Sequence, residues 1–260
     1  MRRIGIRAEL LGKDLRRAIR RAAELGFEAV QLDVAGEVAP DRLSRTGRDD
    51  LRKYVSSLGL RLSAWHYPAR LAHDVGLRVE EHLETLTKVF RLAFETGAPI
   101  VVTALGRIPT DPAHPARAQV EELLEDLARL ADHWGAVVAL ETGTEPGETL
   151  AELLRAVDSP ALRCNYDPAN LYVKGYDPLA AFEPLVDFIV HCHAWDARLD
   201  AVSETGTVVP LGSGEVPWPE IARYIREAAF QGYVIVEQLG NAAPADRSAR
   251  AALQYLRRIG

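Results

Sequence analysis

The run "IVHCHAWDA", Ile189 to Ala197, sets two histidines at alternating positions in an apolar segment, with an aspartate three residues after the second. Histidine binds metals and titrates near neutral pH, so this pattern offers coordination or proton transfer. Three carboxylates occupy similar settings: Glu141 closes "AVVALE", Asp167 closes "LRCNYD" and Glu237 closes "YVIVE". Each ends a short apolar or β-branched run of the kind that forms a buried strand.

Side chains alternate along a strand, so each run divides into two sets. Val138 and Leu140 form one set of their run, and the other ends in Glu141. Leu162, Cys164 and Tyr166 alternate with Arg163, Asn165 and Asp167. Val190 and Cys192 alternate with Ile189, His191 and His193, while Val234 and Val236 alternate with Tyr233, Ile235 and Glu237. The shared parity predicts that Glu141, Asp167, His193 and Glu237 converge. Three carboxylates crowded in a poorly hydrated place repel one another, and a divalent cation resolves that conflict. One ion of Mn²⁺, Mg²⁺, Co²⁺ or Zn²⁺ suits mixed oxygen and imidazole ligands. A single glutamate at a strand end is usually a surface or capping residue, and a single histidine in a strand is usually packed. It is the coincidence of all four at one rim that points to a metal.

The elements that would hold these residues recur along the chain. Eight strand-like runs, "RIGIRAE", "EAVQLD", "RLSAWHY", "PIVVTAL", "AVVALET", "LRCNYD", "FIVHCHA" and "YVIVEQ", alternate with longer stretches of helical periodicity such as "QVEELLEDLARLADHWG". Gly26, Gly97, Gly135 and Gly232 stand where helices should stop. Strand–helix alternation predicts parallel βαβ units. The first strand is followed by no G-x-G-x-x-G turn, so a closed (β/α)8 TIM barrel with eight parallel strands and outer helices is preferred over an open doubly wound sheet. Active sites of such barrels lie at the C-terminal strand ends, where the four candidate ligands fall.

The 260 residues contain no linker or low-complexity tract, which predicts one domain over residues 1–260. A net charge of −6, with arginines interleaved among acids, argues against a nucleic-acid partner. No apolar run is long enough to span a membrane, and the start enters a strand at once, unlike a signal peptide. Cys164 and Cys192 lie inside strand-like runs, as reduced thiols of a cytoplasmic protein do.

The segments "ALETGTEPG", "NYDPANLYVKGYDP", "VHCHAWDA", "PLGSGEVPW" and "GYVIVEQ" resemble the xylose isomerase-like TIM-barrel superfamily, most closely its sugar phosphate isomerase/epimerase branch. The resemblance implies that Glu141, Asp167, His193 and Glu237 bind the metal, and that Glu141 and Glu237 are also the acid–base pair. The ketose epimerases of this superfamily carry a histidine three residues after the aspartate, where this chain has Asn170. Apurinic endonucleases of the superfamily use that histidine and another at the fourth strand for a three-zinc cluster. Here the fourth strand ends "VVTALGR" without a ligand. A nuclease is therefore not expected, although His66 matches the third-strand histidine of those enzymes.

Other residues enter as supporting candidates for substrate binding or for holding the ligands: His66, Asn170, His191, Asp196 and Arg198. His191 shares the parity of His193 and should lie one layer deeper, as a hydrogen-bonding or a packed residue. Asp196 should orient a ligand or cap the next helix, and Arg198 should meet a substrate hydroxyl or phosphate unless it is a solvated loop arginine. Gly212 and Gly214 suit a tight turn over the site, Lys174 lies near the mouth, and Trp65, Trp195 and Trp218 are candidates to stack on a sugar. Parity puts Trp65 under the helices instead. His73, His82, His114 and His133 read as surface residues.

The expected function is a metal-dependent isomerase or epimerase of a small keto-sugar or polyol, phosphorylated or not, acting through a metal-stabilised enediolate. The first alternative is a lyase of the inosose or dehydroshikimate dehydratase kind. The second is a non-catalytic barrel that binds a sugar. The oligomeric state stays open, with a homo-oligomer paired through the outer helices as one outcome.

Overall fold

The computed structural model describes residues 3–71, 79–199 and 206–260. His73 lies outside the described residues. The strands are β1 (Ile4–Arg7), β2 (Ala29–Asp33), β3 (Arg61–Arg70), β4 (Ile100–Ala104), β5 (Val137–Glu141), β6 (Leu162–Tyr166), β7 (Ile189–Ala194), β8 (Asp196–Arg198), β9 (Thr207–Val209) and β10 (Tyr233–Val236). Eight of them close into a parallel barrel in the order β1-β10-β7-β6-β5-β4-β3-β2, while β8 and β9 form a small antiparallel pair beside it. Around the barrel run α1 (Leu15–Leu25), α2 (Arg45–Ser57), α3 (Val79–Thr96), α4 (Pro115–His133), α5 (Gly147–Val157), α6 (Pro168–Val173), α7 (Pro178–Leu185), α8 (Trp218–Glu227) and α9 (Ala245–Ile259). The (β/α)8 barrel read from the sequence is present. No described helix is long and apolar enough to cross a membrane.

The local chemistry of α1 shows why these segments form as they do. Leu15, Ala18, Ile19, Ala22 and Leu25 recur at helical spacing and are buried against the barrel. Asp14 caps the start by accepting the Arg17 amide at 3.0 Å, and Gly26, at φ +92°, closes the end in the left-handed region. Gly232 does not play this part. Helix α8 gives way to Ala229 at φ +50°, and a Cβ on Gly232 would lie 2.2 Å from the Val190 carbonyl, so close packing requires the glycine there.

Inside the barrel the lining changes along the axis. Ala64, Val102 and Ala139 make a small apolar layer, and further toward the C-terminal strand ends the same strands offer His66 and Glu141. Strand β7 departs from simple alternation. Cys164 pairs with Ile189 and Asn165 with His191, so Val190 is the extra residue of a bulge. Ile189 therefore packs with the outer core and Val190 with the inner layer, the reverse of the expected assignment. Parity resumes after the bulge, and both histidines face the axis. Trp65 is fully buried outside the barrel wall, where its Nε1 donates to Thr96 at 2.9 Å.

Candidate active site

At the C-terminal end of the barrel, Glu141, His193 and Glu237 each present a ligand atom within 4.8 Å of the others. His193 is fully buried at the centre. Its Nδ1 lies 3.1 Å from Glu141 Oε2, 3.4 Å from Glu237 Oε2 and 3.7 Å from Asp167 Oδ2. On the far side of the ring, Nε2 is 3.0 Å from Gln31 Oε1. A carboxamide oxygen only accepts, so it takes the Nε2 proton and leaves Nδ1, facing the carboxylates, as the nitrogen that would give up its proton to a cation. The tautomer that then remains is the one a metal ligand requires.

Each carboxylate is held by its own neighbours. Glu141 accepts from Asn170 Nδ2 at 2.8 Å and from Asn165 Nδ2 at 3.2 Å. Asp167 caps α6 by accepting the Asn170 amide at 2.8 Å, and its other oxygen accepts Asn170 Nδ2 and Trp195 Nε1, both at 3.0 Å. Asn170 thus bridges Glu141 and Asp167. On the opposite side, Arg7 forks onto Asp33 through bonds of 3.0 and 2.6 Å and lies 3.6 Å from Glu237. His66 Nδ1 meets the same Asp33 at 3.1 Å, and the Asp33 amide donates to Glu9 at 2.9 Å.

The electrostatics follow from this crowding. Burial disfavours a charged His193, yet Glu237, Asp167 and Glu141 around Nδ1 more than offset it and raise its pKa well above the ordinary imidazole value. Burial also raises Asp167 and Glu237, with the neighbouring carboxylates adding to the effect and His193 opposing it. Desolvation pushes Asp33 up, but the bonds from His66 and Arg7 outweigh it and hold its carboxyl below the usual range. Two buried carboxylates, Asp167 and Glu237, and the half-buried Glu141 crowd one imidazole nitrogen and form a donor set rich in negative charge. The oxygen and imidazole donors of Glu141, His193 and Glu237, and their mutual distances, fit a divalent cation, with Asp167 Oδ2 next to them at 3.7 Å from the same Nδ1.

The supporting candidates divide between those placed as expected and those with other partners. His191 lies one layer below His193, neutral in its burial, with Nδ1 2.9 Å from Asn165 Oδ1. Asp196 neither caps a helix nor faces a ligand: its carboxylate accepts the amides of Ala197, Gly212, Gly214 and Val216, which folds the loop before α8. Arg198 is engaged by the Ser213 carbonyl, at 3.0 and 2.6 Å, and pins that same loop. Trp195 and Trp218 are buried, and Trp218 Nε1 donates to the Trp195 carbonyl, so neither offers a face to a ring. His114 and His133 are exposed, and His82 is half-buried with Nδ1 3.1 Å from the Tyr67 hydroxyl.

Sequence reading missed Arg7, Gln31 and Asp33. Their signal was a polar residue inside or at the end of a strand, as in "AVQLD", but only the closed barrel brings β2 within reach of β7.

Comparison with known proteins agrees with the barrel fold. A family model described as xylose isomerase-like TIM barrel matches residues 19–259. The chain is similar to a 2-epi-5-epi-valiolone 7-phosphate 2-epimerase of an Actinoplanes species, 28% identical over 181 residues, covering 68% of this chain and 65% of that one. It is similar to an inosose dehydratase of Clostridium tetani, 23% identical over 109 residues and 37% of each chain. Both matched stretches are under two thirds of the relative's length. Among solved structures, a xylose isomerase domain protein from Planctomyces limnophilus superposes with a TM-score of 0.80 at 22% identity, covering 96% of this chain and 93% of that chain.

Proposed function

Because this chain belongs to the xylose isomerase-like TIM barrel family, we propose that it is an enzyme that isomerises or epimerises a small keto-sugar or keto-polyol by moving a proton beside the carbonyl. The observation that carries the reading is the convergence of Glu141 and Glu237, from different strands, on His193, with Oε2 atoms 3.1 and 3.4 Å from the same Nδ1. One glutamate takes the proton and the other returns one to the opposite face, so the substrate need not turn over. Asn165 and Asn170 fix the position of Glu141, and Arg7 stands beside Glu237.

Glu141, Asp167, His193 and Glu237 would hold one divalent cation, of Mn²⁺, Mg²⁺, Co²⁺ or Zn²⁺, which supplies positive charge where the carbonyl oxygen becomes an enolate. Gln31 supports that role by orienting His193. Among the described residues, the acid–histidine cluster that suits a metal is this one, and the extra ligands of a three-zinc nuclease site are not expected.

A second reading keeps the site and changes the outcome. The similarity to an inosose dehydratase favours it: the same proton removal would be followed by loss of a hydroxyl one carbon further on. Incubating the metal-loaded chain with keto-sugars and inososes in D₂O separates the two by mass spectrometry. An epimerase leaves a product of unchanged composition apart from one deuterium, whereas a dehydratase product lacks one water. Glu141→Gln and Glu237→Gln should each abolish turnover. If no substrate of either class is turned over while sugar binding survives both substitutions, the barrel is a binding protein and the enzymatic reading fails.

A further inference from the structure

Beside the candidate site lies a cleft of about 900 Å³ that the chemistry above does not use. Its lining comes from the loop after β4, which carries Arg107 and His114, the loop after β5, which carries Gly143 and Thr144, and the end of α6, which carries Lys174 and Tyr176. Arg107 and Lys174 are exposed, and among the described residues neither side chain has an ion-pair or hydrogen-bond partner. Asp111 is the sole acid among the described lining residues, and one of its oxygens already accepts the Ala113 amide at 2.9 Å.

The cleft is joined to the site by its own wall. Gly143 follows Glu141 by two residues, and a Cβ placed on it would lie 2.5 Å from the Cβ of Asn170, the residue that holds Glu141. Lys174 follows Asp167 by seven residues, with α6 between them. At the rise of an α-helix that separation is about 10 Å, within reach of a sugar carbon chain whose carbonyl sits at Glu141. Thr144 donates to the Gly106 carbonyl at 2.7 Å, and Tyr176 donates to the Thr144 carbonyl at 3.4 Å, so the three loops are tied together around the cleft.

From these contacts, and resting on the proposed function for the reacting end, we propose that the cleft binds the phosphate monoester of the substrate through Arg107 and Lys174. A phosphate monoester carries close to two negative charges at neutral pH and three acceptor oxygens. Two cations entering from separate loops match a dianion; a single carboxylate would need only one bidentate arginine. The pair also counters the repulsion a dianion would meet from Glu141, Asp167 and Glu237.

The test uses inorganic phosphate and matched sugars on the full chain. Isothermal titration should show phosphate binding that falls roughly ten- to a hundredfold in the double variant Arg107→Ala/Lys174→Ala and does not fall in Glu141→Gln, which removes a repelling charge. Both cations are exposed, so the double variant keeps the packed barrel. In turnover assays a keto-sugar phosphate should show KM at least about tenfold below that of its neutral parent in the wild type, and the gap should close in the double variant with kcat for the neutral sugar unchanged. Equal phosphate binding by wild type and variant, equal KM for the two sugars, or a preference for a carboxylate-bearing sugar overturns the phosphate site. Those results leave the proton-transfer reading intact. Phosphate binding that depends on the two cations, with no sugar turned over, overturns that reading and not the site.

Discussion

Replacing Arg7 with methionine is expected to lower the melting temperature by roughly 4–8 °C at neutral pH. The guanidinium grips Asp33 through two hydrogen bonds and stands 3.6 Å from Glu237. Methionine keeps the apolar stem and removes the charge, which leaves both carboxylates without that cation. Breaking a fully buried pair in this way costs about 3–5 kcal/mol. The side chains of Arg7 and Asp33 are 25% and 15% exposed. Water therefore screens part of the loss and leaves about 2 kcal/mol. For a chain of this size each kcal/mol moves Tm by roughly 2–4 °C.

The sign of the pH dependence follows from Asp33. Its folded pKa is depressed, so the unfolded chain takes up that proton first as pH falls. The stability it contributes is present above the unfolded value, near ~3.9, and is lost as pH falls through the folded value. Melting curves of wild type and Arg7→Met should therefore differ most at neutral pH and converge as pH falls through the depressed folded value of Asp33. Arg7→Lys should recover only part of the loss, because an ammonium cannot make the two-bond contact. An unchanged Tm at neutral pH, or a gap that widens toward acid, refutes the reasoning.

Three further outcomes are expected. Gln31→Leu removes the acceptor of the His193 Nε2 proton, so Mn²⁺ affinity measured by titration calorimetry should fall about 10- to 100-fold; unchanged affinity would mean that the ring is held by other contacts. Glu145, buried after β5, has its pKa raised by desolvation to about 7. The folded chain keeps that proton longer than the unfolded one, so stability falls as pH rises from the ordinary carboxylate range to about 7, and Glu145→Gln should flatten that fall and gain roughly 1–3 kcal/mol above neutrality in urea unfolding. Asp196→Ala strips the acceptor from four backbone amides; hydrogen exchange at Gly212, Gly214 and Val216 should quicken while metal content stays unchanged, whereas a lost metal would return Asp196 to the site.

The sequence carried the barrel because strand and helix periods are local properties. Runs such as "AVVALE" and "YVIVE" mark their strands unaided, and alternation within them brings Glu141 and Glu237 to one rim. What was not legible depends on pairing between distant strands. The bulge at Val190 reverses two residues of β7 because β6 and β7 shift register there, and no residue type announces it. Arg7 and Asp33 look like ordinary strand ends until β1 and β2 are laid side by side. Asp196 and Arg198 were drawn to the site by their closeness to His193 in the chain, yet both side chains are bound to backbone groups of the loop before α8, beside the β8–β9 pair. Trp195 and Trp218 could be read as platforms from composition, and burial makes them supports.

The central claim is that Glu141, His193 and Glu237, with Asp167, form one centre for a divalent cation. The direct measurement is metal content per chain, by elemental analysis after saturation with Mn²⁺ and removal of the excess, in wild type, His193→Ala and His191→Ala. One ion per wild-type chain is expected, kept by His191→Ala and lost by His193→Ala. No ion in the wild type, or retention after His193→Ala with loss after His191→Ala, would contradict it.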